Sequence, residues 1–373
     1  RGDILCWWYI QRYGFYRRGK LMISAMIVAD SISPSGVRLT TMELNYHRFI
    51  HSEFMTHRMF SRNATSSRAI PVSTMLSLVR DNPAIPIHWG KNQPGMQARE
   101  ELTQEDLEEA TERCFIAHEK SGDKYADFPN WWYAFTESHE GFDEFGGGSF
   151  QKDPLSIQEV LYQEWVGMSR EAVKSAEELN QLGLHKQIVN RVLEPFQWIK
   201  VIVTATEWDN FFKLRLHPDA QPEIQELARC MQEAMNNSIP EVLQPGEWHL
   251  PYVENDSVLT MSCYGKKEHL LQDMIKCSVA RCARVSYLNH NNSSPNVAKD
   301  VELADQLLEA GHMSPFEHQG TPMSYDSEGY VTDGVTRVWQ EVGGWDKGTT
   351  HMDTQGNLWS GNFKSWIQNR QWK

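Results

Sequence analysis

The segment VRLTTMELNY, Val37 to Tyr46, sets the tightest constraint on what this chain can fold into. Its apolar residues alternate at the two-residue period of a strand, Val37 and Leu39 on one face and Met42, Leu44 and Tyr46 on the other. The parity slips at Thr40-Thr41, which predicts a strand carrying a bulge there. The segment that follows, HRFIHSEFMTHRMFS, spaces Ile50, Phe54, Phe49 and Phe60 as a short helix would, and Ser61 to Pro71 reads as a polar loop.

Helical patterns dominate the middle of the chain. Thr103 caps a predicted helix running to about Lys120, with Glu105 and Asp106 in its first turn. Ile157 to Leu182 reads as a long helix that Gly183 can close. Lys186–Leu193 and Phe196–Leu214 read as helices parted by Glu194-Pro195, and Ala220–Asn236 as another. Val301 to Gly311 places Leu303, Leu307 and Leu308 on one helical face. His88–Ala98, with its Pro94-Gly95 turn, reads as a loop, Gly141–Gly148 as a flexible connection and Asn237–Asp256 as a linker. Beyond Pro322 the chain is rich in Gly, Trp and Asp without clear periodicity. The fold class is therefore α/β (α+β): a single intertwined domain, residues 26–373, with a mixed or antiparallel sheet, long helices and helical insertions. Residues 1–25 are basic and aromatic and lack a secretory pattern. With Met22 or Met26 as a natural start, they read as an extension outside the fold, or alternatively as a surface-binding arm.

Charge narrows the function. A net charge of -13 argues against a broad nucleic-acid surface. One positive island exists, however: four arginines and a single acid, Glu53, lie between Arg48 and Arg68. No apolar run approaches the ~18 residues that would span a bilayer. The six cysteines form no C-x-x-C pair, which suits reduced thiols in a cytoplasmic protein and makes a structural metal site unexpected.

Four blocks carry candidate chemistry. THRMFSRNATSSR, Thr56 to Arg68, has arginines at 58, 62 and 68 and hydroxyls at 61, 65, 66 and 67. Such a composition suits a phosphate monoester, or else a solvated basic turn. RVLEPF and NFFKLRLHPDAQPEI contain Arg191 and Arg215. Arg215 follows Phe211, Phe212 and Leu214, where a buried guanidinium needs an anionic ligand or a salt bridge, for which Glu223 and Asp219 are the candidates. CARVSY spans Cys282 to Tyr287, and GHMSPFEH spans Gly311 to His318. By itself His318, just beyond a helix and a Ser-Pro turn, reads more readily as a satisfied structural histidine than as a ligand.

Together these blocks resemble the flavin-dependent thymidylate synthases, whose signature is R-H-R-x-x-S-x-N-E-x-S-x-R. His57, Arg58, Ser61, Asn63, Ser66 and Arg68 match it. Ala283–Ser286 match the family's A-R-V-S, Gly311–His318 its G-H-x-[ST]-P-F-E-H, Arg191–Pro195 its R-x-x-L-P, and Asn210–Ile224 its N-F-L-x-L-R-x-x-x-H-A-Q-x-E-I. The matched runs cover roughly half the chain, but their order differs. The A-R-V-S and P-F-E-H segments, which precede the signature in the family, follow it here by about two hundred residues. Circular permutation is the simplest account. It divides the chain into a signature half (37–236), a linker (237–276), the family's N-terminal half (277–323) and a tail (324–373). It also predicts that Gly361–Lys373 returns to the strand at Val37. The sequence departs from the signature at Thr56 and Ala64, where the family has Arg and Glu. Glu53 and Asp219 replace a Gln and a His.

The resemblance implies reductive methylation of dUMP to dTMP with methylenetetrahydrofolate and reduced FAD, NADPH being the reductant. It implies Arg215 and Ser66 as catalytic residues, with Glu53, Ser66, Ser67, Arg68, Arg191 and Arg215 binding substrate. His57, Arg58, Asn63, Asn210, Ser286 and His318 would bind cofactor. Arg191 would come from a neighbouring subunit of a homo-oligomer, a tetramer by analogy. Modification of another pyrimidine nucleotide with the same cofactors, or nucleotide and flavin binding without turnover, are the alternatives.

Overall fold

The computed structural model describes residues 16–17, 20–121, 129, 131–132, 135, 155–253, 267–285, 296–324, 330–332, 337–339 and 345–373. Two compact units form. One comprises residues 1–71, 198–218 and 224–373; the other comprises residues 72–197 with 219–223.

The first unit is built on a five-stranded sheet. In chain order its strands are β1 (Ser24–Ile32), β2 (Arg38–His47), β3 (Ser61–Ala64), β4 (Trp198–Ala205) and β5 (Glu241–Val242), and in space they run β3-β4-β2-β1-β5. Pairing is antiparallel throughout except for β1 with β5, so the sheet is mixed. The strand expected at Val37–Tyr46 is β2, but its bulge lies elsewhere. β2 runs unbroken against β4 from Thr40↔Ala205 to His47↔Trp198. The register shift falls on the partner β1, between Ile27 and Ala29. β2 is instead buried on both faces from Leu39 to His47, and two-sided burial removes the need for one face to stay polar. β1 begins at Ser24, with Ile23 already buried, so the last residues of the 1–25 segment join the sheet.

Three further expectations are corrected here. Phe196–Leu214 is not one helix: WIKVIVTA forms the interior strand β4, and only Asp209–Arg215 is helical. Its β-branched run Ile199, Val201, Ile202, Val203 and Thr204 is fully buried, so the two-residue alternation that marks a half-exposed strand is absent. Ser61–Ala64 is strand β3 rather than loop, because Ser61 and Asn63 turn inward on its buried face. The helix expected before it is one turn of α-helix, His51–Phe54, after a 3-10 turn. Arg62 closes that turn, its guanidinium donating to the carbonyls of Phe54 (3.4 Å), Met55 (3.0 Å) and His57 (3.1 Å). Asn237–Asp256 is no loose linker as far as Val253, since β5 pairs with β1 and Leu243, Trp248 and His249 are buried.

Two helices, Lys267–Arg284 and Val297–Glu309, pack together through Val279, Ala283, Ala304 and Leu307. Asp300, fully buried, joins them by pairing with Arg281 at 3.0 Å and with Arg284. The C-terminal tail is ordered by long-range contacts that its composition does not announce. Trp366, fully buried, donates from Nε1 to the Val37 carbonyl at 3.0 Å and packs with Leu39 and Phe363. The tail thus returns to the strand at Val37. Trp366–Gln368 pairs with Gly320–Pro322, directly after the GHMSPFEH block.

The second unit is mainly helical. Ile157–Gln181 starts in a capping box between Ser156 and Glu159, and Gly183 follows its end at φ +85°. Gln104–Ser121 starts at Thr103, whose hydroxyl accepts from the Asp106 N–H at 3.2 Å. Gly141–Gly148 lies outside the described residues.

Candidate active site

Residues opposite one another in an antiparallel ladder share a face of the sheet. The pairs Thr41↔Thr204, Glu43↔Ile202, Ser61↔Thr204 and Asn63↔Ile202 therefore lie on one side, and Met42↔Val203, Leu44↔Val201 and Tyr46↔Ile199 on the other. The second face is apolar at these three pairs, with Thr40, Asp30 and Arg62 also on it. The first is polar yet buried: Thr41, Thr204, Ser61, Asn63 and Glu43 are all at most 7% exposed. Buried polar groups need partners or a ligand.

The partners and neighbouring bonds join the blocks singled out above to residues outside them. Thr65 donates to the Lys200 carbonyl (3.0 Å) or the Val285 carbonyl (2.9 Å), which ties the signature to the A-R-V-S segment. Thr204 bonds His318 Nδ1 at 2.8 Å. Gln368 of the tail donates to Ser61 Oγ (3.1 Å) and to the Glu317 carbonyl (3.1 Å), so it joins the signature to the P-F-E-H block. Gln319 reaches Ser278 and Cys282 on the helix that carries A-R-V-S. Glu43 pairs with Lys200 at 2.8 Å and accepts from the Tyr252 hydroxyl. Tyr252 sits at φ +63°, an uncommon conformation for a bulky residue.

A second cluster surrounds His57. Its ring lies edge-on to Phe211 at 4.8 Å and stacks on Phe60 at 5.8 Å, and Phe60 in turn meets Trp208 at 4.7 Å. Arg215 donates from Nε to His57 Nε2 at 2.9 Å and from Nη2 to Thr56 Oγ1 at 3.2 Å. Burial, then the charges of Arg215 and Arg62, pushes the His57 imidazole down to about 4, so at neutral pH it is an uncharged acceptor. Asp219 pairs with Arg99 at 3.1 Å, and Glu223 accepts from the Ile87 N–H at 3.0 Å. Among the described residues Arg215 makes no ion pair.

The remaining expected residues lie as follows. Glu53 and Ser66 are half-buried, Ser67 is buried, and Arg58, Arg68 and Asn210 are exposed. Arg191 belongs to the second unit, is exposed, and pairs with Glu194 at 3.2 Å. Ser286 lies outside the described residues. Two expected cofactor contacts carry buried polar atoms without a hydrogen-bond partner among the described residues, Asn63 Nδ2 and His318 Nε2. Asn63 belongs to the polar face and His318 is bonded to it through Thr204, and a donor-acceptor surface such as an isoalloxazine or pterin edge fits both atoms. Among the described residues no cluster of His, Cys, Asp and Glu could hold a metal, and no helix is long and apolar enough to cross a membrane.

Sequence reasoning missed His249, Gln368, Gln319, Glu43 and Tyr252. Each stands outside the matched blocks, and its partner is remote in the chain. The one available signal was the polar character of Thr41, Glu43 and Asn45 within a strand otherwise set for the core.

Two solved structures, of the UMP/dUMP methylase PolB from Streptomyces cacaoi, resemble part of the chain. With 5-Br UMP the identity is 14% over 57% of this chain and 88% of that one, at a TM-score of 0.37. With 5-Br dUMP the identity is 13% over 58% and 91%, at a TM-score of 0.34. No curated protein matches the chain by sequence. The profile of the Thymidylate synthase complementing protein family matches residues 35–241, more than half of the 373 residues, from the turn before β2 to the start of β5. With more than half its length matched, the chain belongs to the thymidylate synthase complementing protein family.

Proposed function

We propose that the chain methylates a pyrimidine nucleotide at C5, converting dUMP to dTMP with methylenetetrahydrofolate, FAD and NADPH. Family membership supports nucleotide methylation, and one observation supports the chemistry. Arg215 is held by an uncharged histidine and a threonine, and among the described residues no carboxylate pairs with its positive charge. Uracil C5 becomes nucleophilic when negative charge at N3 and O4 is stabilised, and a fixed guanidinium supplies that stabilisation without reorganising. His57 keeps the guanidinium plane in place from Nε and leaves the far N–H groups for substrate. Ser66, Ser67 and Arg68 would hold the phosphate, joined by Arg191 of a neighbouring subunit. Asn63 and His318 would meet the flavin or folate through their open Nδ2 and Nε2 atoms, with His57, Arg58, Asn210 and Ser286 on the same side. The flavin supplies the redox chemistry when bound. Asn63, as a neutral amide, and His318, as an uncharged imidazole, orient it without adding charge.

Glu53, Thr56 and Ala64 favour a second reading, in which the base differs from plain uracil. Thr56 occupies one Arg215 N–H where the family's arginine would repel it, and the carboxylate of Ala64's family counterpart is gone.

The test is tritium release from 5-labelled nucleotides with methylenetetrahydrofolate, FAD and NADPH. Release from dUMP, abolished in R215A, is the expected result. Release from 5-labelled UMP or dCMP without release from dUMP selects the second reading. A flavin-bound protein inert toward all of them overturns both.

A further inference from the structure

Five side chains on the polar face form one hydrogen-bonded line through the interior. Ser31 Oγ lies 2.9 Å from His249 Nδ1, and His249 Nε2 lies 2.8 Å from Thr41 Oγ1. Thr41 Oγ1 is 2.7 Å from Thr204 Oγ1, which is 2.8 Å from His318 Nδ1. All five residues are buried, Ser31 the least so at 4% exposure. The line ends at His318 Nε2, which has no hydrogen-bond partner among the described residues.

Counting hydrogens restricts what this line can do. Each hydroxyl carries one, and each neutral imidazole carries one. Burial pushes both rings down to about 3, so both are uncharged at neutral pH. If His318 is protonated at Nδ1, it donates to Thr204. Thr204 must then donate to Thr41, and Thr41 to His249 Nε2, leaving the His249 hydrogen on Nδ1 for Ser31. If His318 is protonated at Nε2, every bond reverses and His249 carries its hydrogen on Nε2. A mixed pair fails at the threonines. It leaves either one buried hydroxyl hydrogen without an acceptor, or two oxygens 2.7 Å apart with no hydrogen between them. An unmet buried polar group costs about 1–3 kcal/mol.

We infer that His249, which lies outside every matched block, sets the tautomer that His318 presents, acting through Thr41 and Thr204. The two rings hold the same tautomer and change it together. His318 Nε2 is an acceptor in one arrangement and a donor in the other. His249 is a positioning residue, and its coupling to His318 holds whether or not the proposed function does.

The experiment uses the full chain labelled with 15N-histidine. Protonated and unprotonated ring nitrogens of neutral imidazoles have widely separated 15N shifts, and the two rings are assigned by the signals lost in H249Q and H318Q. At pH 7 both rings are expected to show the same neutral tautomer. Opposite tautomers, or a charged ring at either position, would overturn the inference. T41V cuts the line while keeping the shape, and T41S keeps it. The His318 ring signals should shift in T41V and stay in place in T41S, and an unchanged His318 spectrum in T41V would also count against the coupling. A purely structural His249 would leave the His318 tautomer independent of Thr41.

Discussion

Arg215 Nε donates to His57 Nε2 at 2.9 Å between residues 158 positions apart in the chain. The contact defines both groups. Because the guanidinium can only donate, His57 must accept at Nε2 and carry its hydrogen on Nδ1. The histidine, being uncharged, fixes the arginine without neutralising it.

R215A should therefore abolish nucleotide methylation while leaving the fold intact. Removing one preorganised charge-stabilising donor typically costs about 10²–10³-fold in kcat, whereas the two hydrogen bonds are worth roughly 1 kcal/mol each in stability. R215K should lose nearly as much activity, since an ammonium cannot reproduce the fork. Rate and denaturant midpoint, measured on the same preparations, check both halves.

Acid should destabilise the protein across a defined window. Burial and nearby positive charge push His51 and His57 down to about 4, and burial takes His249 and His318 down to about 3. In the unfolded chain these rings protonate near pH 6.5, so between there and pH 4 the unfolded state binds more protons. Stability is complete above pH 6.5 and falls as the pH drops toward 4. Each fully buried ring contributes on the order of 1.4 kcal/mol per pH unit. Urea midpoints taken at half-unit intervals should decline throughout that window, and a flat profile would contradict the burial of these rings.

D300A should be among the most damaging single substitutions outside the site. Its carboxylate is fully buried between Arg281 and Arg284, and removing it leaves two guanidinium groups with little access to water. Breaking a buried pair from one side costs about 3–5 kcal/mol. Thermal unfolding should register this directly.

Truncation after Ser360 should prevent folding of the first unit. W366F tests the same attachment more gently. It deletes the hydrogen bond to the Val37 carbonyl while keeping most of the ring, and should cost about 1–3 kcal/mol. A truncated chain with native stability would show that the tail is an appendage.

Legibility in the sequence followed the range of the forces involved. Ile157–Gln181 was readable because helical patterning and the closing Gly183 are both local to the chain. The strand at β2 was readable for the same reason, though its irregularity was assigned to the wrong strand. β4 was misread as helix because a strand buried on both faces loses its alternation, and only the placement of neighbours on either side reveals it. The matched blocks marked His57, Asn63, Arg215 and His318, but not what each would touch.

By itself, then, the sequence determined the local elements with one wet face, the family, and the residue types able to do the chemistry. The tertiary structure alone decided that Arg215 rests on His57, that Gln368 ties the signature to the P-F-E-H block, and that His249 is bonded between Ser31 and Thr41. The reason is physical. Periodicity and capping are written by neighbours in the chain, whereas hydrogen-bond partners hundreds of residues apart meet only once the core has packed around them.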